Sequence, residues 1–107
     1  MEKDRSIIEL VAWLREQLGD TFTVTDHWEA DLFAVGLSAH DDLAQLVYIG
    51  NFKRPAGTYT VALESAPPPG WDQPYREVGT FDSVNREQLL TIISQHLGIT
   101  KSPAIRD

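Results

Sequence analysis

The stretch LFAVGLSAHDDLAQLVYI, Leu32 to Ile49, decides the fold. Phe33, Val35 and Leu37 alternate with Leu32, Ala34 and Gly36, the period of two that marks a strand over Leu32 to Ser38. Leu43 to Ile49 is almost wholly apolar, as expected of a central strand covered on much of both faces. Ala39-His40-Asp41-Asp42 between them is a short polar turn, so the two strands should form an antiparallel hairpin.

Upstream, Phe22 and Val24 alternate with threonines and extend the sheet by one strand. Before them Ile7, Leu10, Val11, Leu14 and Leu18 share one helical stripe, which Asp4 or Ser6 can cap and Gly19 can end. Trp13 lies off the centre of that stripe, at the core margin. Downstream, Lys53-Arg54-Pro55-Ala56-Gly57 reverses the chain, with proline pre-set for the second turn position and glycine for the exit. A fourth strand follows at Thr58 to Glu64, and Tyr75 to Phe81 fits a fifth with poor alternation. The last element, Val84 to Leu97, places Leu89, Leu90, Ile93 and Leu97 on one face, with Asp82 or Ser83 as its cap and Gly98 at its end. Thr100 to Asp107 should fray.

Short turns force antiparallel pairing, and two amphipathic helices need a common apolar surface. The expected architecture is α+β: a two-layer sandwich with an antiparallel meander sheet of four to five strands and the N-terminal and C-terminal helices on one face. Phe22, Val24, Phe33, Val35, Tyr59, Val61 and Leu63 should meet the helices. Ala34, Gly36, Thr58, Thr60 and Ala62 should then form a flat outer face, either solvated or open to a partner.

Composition bounds the function. The 107 residues suit one domain, and 42% apolar with 23% charged residues argue against disorder. The chain has no cysteine, so disulfides and thiolate metal sites are excluded, which fits a reducing compartment. Charges at Glu9, Arg15 and Glu16 interrupt the N-terminal apolar run, unlike a signal peptide, and no run is long enough to span a membrane. A cytoplasmic protein is expected. Net charge is −7, and Glu16 to Phe52 holds seven acids without a lysine or arginine. That repels nucleic acid and anionic lipid and attracts basic protein surfaces, or serves solubility alone.

No chemistry-bearing motif stands out. His27, His40 and His96 have no metal-ligand spacing, and the serines lack a nucleophile-elbow context. Glycines form no phosphate loop, so no cofactor is implied; Lys53 and Arg54 are too few for a nucleic-acid site. Surface residues remain. Asp26, Trp28, Glu29 and Asp31 set a tryptophan among acids, Asp41 and Asp42 add to the acidic run, and Trp71 and Tyr75 lie on the proline-rich stretch SAPPPGWDQPYRE. Tryptophan and tyrosine are enriched at interface hot spots, and proline lowers the entropy a loop loses on docking. The other reading is that Trp71 folds back over the core edge while the prolines keep that edge from pairing.

A capped first helix, a meander containing LAQLVYI, a proline-rich turn and the closing FDSVNREQLLTIISQHLGITKSP together resemble small bacterial immunity proteins that neutralise polymorphic toxins. The resemblance implies a non-enzymatic inhibitor that masks a toxin, with Asp26, Trp28, Glu29, Asp31, Asp41 and Asp42 as the contact patch. An acidic surface suits a basic toxin domain. Two further readings stay open: a secretion-chaperone-like client-binding protein, homodimeric where the inhibitor is monomeric, and a small enzyme whose site has no recognised motif.

Overall fold

Strong stripes and caps settle the two helices. The computed structural model describes residues 3–25, 31–72 and 76–99. Helix α1 (Arg5–Leu18) buries Ile7, Leu10, Val11, Leu14 and Leu18, the stripe read from the sequence. Asp4 caps it: its Oδ2 accepts from the Ser6 N–H at 3.0 Å and from the Ser6 hydroxyl at 2.6 Å. Gly19 ends it at φ 67, ψ −150, a conformation that glycine alone reaches cheaply. Helix α2 (Arg86–Leu97) buries Leu89, Ile93 and Leu97.

Between the helices run β1 (Phe22–Val24), β2 (Ala34–Ala39), β3 (Asp42–Gly50), β4 (Tyr59–Ser65) and β5 (Arg76–Val84). They pair in sequence order, every pair antiparallel, as one open five-stranded sheet. The α+β meander with helices at both ends is therefore the observed fold. One buried cluster joins the stripes of both helices to Phe22, Val35, Leu37, Val47, Ile49, Tyr59 and Val61, a single alternation face of the sheet. Each of these side chains contributes about 1.5–3 kcal/mol on burial. Trp13 packs at the cluster's margin with the Arg86 guanidinium 5.2 Å over its ring.

Several local expectations change. Leu32 and Phe33 lie in a turn before β2, because Asp31 Oδ1 accepts from the Phe33 N–H at 3.0 Å and draws both residues out of the ladder. Phe33 consequently stands outside the helix-facing cluster and packs on Phe52 at 5.4 Å. Pro55 takes the first rather than the second position of its turn, since its carbonyl accepts from the Thr58 N–H, and Gly57 takes the third at φ 82. The fifth strand is real and runs on to Val84, so Asp82 and Ser83 belong to it. Asn85 is the cap of α2, in a reciprocal box with Gln88.

The outer face of the sheet is largely shielded from solvent. Ala34 and Ser38 are fully buried there, Gly36 and Gly50 are buried, and so is Leu46, while Thr60 and Ala62 are half-buried. Tyr48 explains the small residues: it pairs with Gly36 on one side and Ala62 on the other. Its ring leans forward along β3, so that a Cβ at Gly50 would come within 3.2 Å of the Tyr48 hydroxyl. Gly36, Gly50 and Ala62 form the bed of one aromatic side chain.

Candidate functional site

Antiparallel order sorts the connections between the two ends of the sheet. One end gathers the α1–β1 link at Asp20, the β2–β3 turn at His40-Asp41 and the start of the β4–β5 loop after Ser65. Both helices finish there: Arg15 reaches the Phe22 carbonyl at 3.4 Å, and His96 Nε2 donates to the Glu64 carbonyl at 2.9 Å. The other end gathers Asp31 to Phe33, the turn Asn51 to Arg54, and the starts of both helices.

At the first end Asp20, Asp41, Asp42, Asp72 and Glu77 are exposed, against Arg15 and Arg76. The C-terminal dipoles of two helices add partial negative charge. Local bonds shape this end. His40 Nε2 lies 3.1 Å from Asp20 Oδ1 and 3.2 Å from its carbonyl, and both only accept, so Nε2 carries the hydrogen. Arg15 stands 4.0 Å from the same carboxylate and 4.5 Å over the Phe22 ring. Asp42 Oδ1 accepts from the Ala44 N–H at 3.2 Å, which starts an excursion of β3: Ala39 pairs with Asp42 while Ser38 pairs with Leu46. The register shifts between Ser38 and Ala39, the Ser38 hydroxyl donates to the Leu43 carbonyl at 3.4 Å, and the Leu43 side chain is exposed.

Trp71 stands at this same end. Its N–H donates to the Pro68 carbonyl at 3.1 Å across Pro69 and Gly70, and Gly70 has φ 85. Proline second and glycine third is the composition of a type II turn, so the prolines fix the approach to Trp71. Trp71 is 49% exposed.

The opposite end holds a cleft of about 740 Å3 lined by Asp31, Leu32, Phe33, Tyr48 and Phe52. Phe33 and Phe52 meet because the Asn51 N–H donates to the Phe33 carbonyl and carries β2–β3 pairing one residue beyond the ladder. Burial, and then the Asp31 charge, push the Tyr48 hydroxyl above the ordinary tyrosine range.

Of the residues singled out from sequence, Asp41, Asp42 and Trp71 therefore share one end, and Asp31 lies at the other, beyond the whole of β2. Asp26, His27, Trp28, Glu29 and Tyr75, with the tail from Thr100, lie outside the described residues. Sequence reasoning missed Asp20, His40 and the entire cleft. Among the described residues no group of three His, Cys, Asp or Glu side chains is placed to hold a metal ion, and no helix is long and apolar enough to cross a membrane. No protein-family model matches the chain, no curated protein matches it, and no solved structure matches it.

Proposed function

We propose that this chain is a non-enzymatic protein-binding domain of the immunity type, which docks its acidic end onto a basic surface such as that of a toxin domain. The carrying observation is convergence: Asp41 and Asp42, Asp20, Asp72 and the half-exposed Trp71 come from three separate connections to one end of the sheet, beside two helix C-termini. Clustered like charge steers a basic partner and speeds association, and an aromatic anchor on a pre-set turn supplies buried area at low entropic cost.

The secretion-chaperone-like reading needs a dimer surface, and β5 is the long open edge. Its pairing with β4 skips a residue of β5 twice, between Phe81 and Val84 and between Glu77 and Gly79. Bulges of this kind discourage edge-to-edge addition, so a monomer is expected.

The test is capture from the native host at low and high salt, with wild type beside the double variant Asp41→Lys, Asp42→Lys. One basic protein should be recovered in stoichiometric amount by wild type, at least roughly tenfold less by the variant, and less at high salt. Co-expression of wild type with that protein should then restore growth. Equal recovery by both chains, or no protein partner, overturns the proposal.

A further inference from the structure

The cleft at the Asp31 end plays no part in the reading above, and folding alone does not account for it. Phe52 is 62% exposed and Leu32 49%, side by side around the cleft. Phe52 sits at the tip of the turn closed by the Arg54 N–H on the Asn51 carbonyl, and Lys53, next to it, is held at φ 58. A left-handed non-glycine residue presenting a solvent-facing phenylalanine lowers stability twice over.

The lining singles out a guest. Phe33 and Phe52 touch at 5.4 Å with a 52° tilt and make one aromatic wall, with Tyr48 beside it. Ring faces attract cations. Phe52 already does so within the chain, because the Lys53 ammonium stands 5.5 Å from its centroid. Asp31 supplies the counter-charge. Its Oδ1 accepts from the Phe33 N–H, and among the described residues no hydrogen bond falls on Oδ2. Lys3 Nζ approaches Asp31 through the backbone carbonyl, at 2.8 Å, and not through the carboxylate. A carboxylate next to exposed aromatic ring faces matches a guanidinium, which is planar, weakly hydrated and able both to stack and to pair; a lysine ammonium is a hydrated point charge. We infer that this cleft receives an arginine side chain of a protein partner, placed over the tilted Phe33–Phe52 pair and paired with Asp31.

The inference stands on the cleft's own lining, so its test needs neither a known partner nor the acidic end. The full chain, labelled with 15N, is titrated with N-acetyl-arginine methylamide and, separately, with the citrulline analogue, which keeps the shape and loses the charge. Arginine should give saturable shifts at the amides of Asp31, Leu32, Phe33, Phe52 and Lys53, and citrulline should bind roughly tenfold more weakly. Asp31→Asn, which keeps an oxygen for the Phe33 N–H, and Phe52→Ala, at an exposed position, should each weaken arginine binding roughly five- to tenfold. Their spectra away from the cleft should match wild type, and the double variant at Asp41 and Asp42 should bind arginine unchanged. Equal binding of citrulline, shifts centred on the Asp41-Asp42 turn, or failure to saturate overturns the inference.

Discussion

The sheet end that carries Asp41, Asp42 and Trp71 is assembled from turns, whereas the end that carries Phe33, Tyr48 and Phe52 is assembled from side chains that lean across strands. At the acidic end the α1–β1 link and the β2–β3 turn are short and polar, and the β4–β5 loop is marked by its prolines. At the aromatic end Asp31 pulls Phe33 out of its strand, Phe52 projects from a strained turn, and Tyr48, cross-strand from Gly36, occupies space left free by Gly50. Charge accumulates through many independent residues and tolerates the loss of one. A cleft depends on a few interlocking ones and does not.

That contrast can be broken experimentally. Leu46 is buried on the outer face toward the acidic end. If that half is packed as well as charged, Leu46→Ala should lower stability by about 2–5 kcal/mol in urea denaturation; a cost within about 0.5 kcal/mol would mean that packing matters only at the aromatic end. Gly50→Val puts side-chain atoms where the Tyr48 hydroxyl lies, and should cost about 1–3 kcal/mol and displace the ring from the cleft. A neutral effect with Tyr48 unmoved would show that the glycine bed is not tight.

A third experiment concerns acid. The Ser6 hydroxyl, then the Ser6 N–H, hold the Asp4 carboxyl below its ordinary range. A depressed folded-state value means that this contribution is complete above the ordinary carboxylate range and is lost as pH falls through the folded value. Asp4→Asn should therefore flatten the acid limb of a stability–pH profile at the helix-start end; an unchanged limb would assign acid sensitivity elsewhere. The smallest effect is spectroscopic. Burial is the main cause of the raised Tyr48 ionisation and the Asp31 charge the second, so Asp31→Asn should lower it only part of the way toward the ordinary range. NMR titration of the Tyr48 ring resonances reads this directly, and full restoration would make charge the leading cause.

Legibility followed the range of the interactions. The helix stripe from Ile7 to Leu18, the turn His40-Asp41 and the alternation of Tyr59, Val61 and Leu63 are local patterns, and all three stand in the structure. The cap of α2 lies at Asn85 rather than at Asp82 or Ser83, because the poor alternation of β5 hides two bulges and the strand's continuation to Val84. The parity of Phe33 suits the helix face, and the Asp31 side chain, which accepts from the Phe33 N–H, draws it from the strand.

By itself the sequence determined the element order, the antiparallel meander, the helix faces and the net acidity, since each depends on neighbours a few residues apart or on simple totals. Tertiary structure alone decided that Asp41 and Asp42 share an end with Trp71 while Asp31 does not, and that the small residues on the outer face make a bed for Tyr48. Strand direction and register carry residues far apart in the chain to the same end of the sheet, and no local pattern encodes that sum.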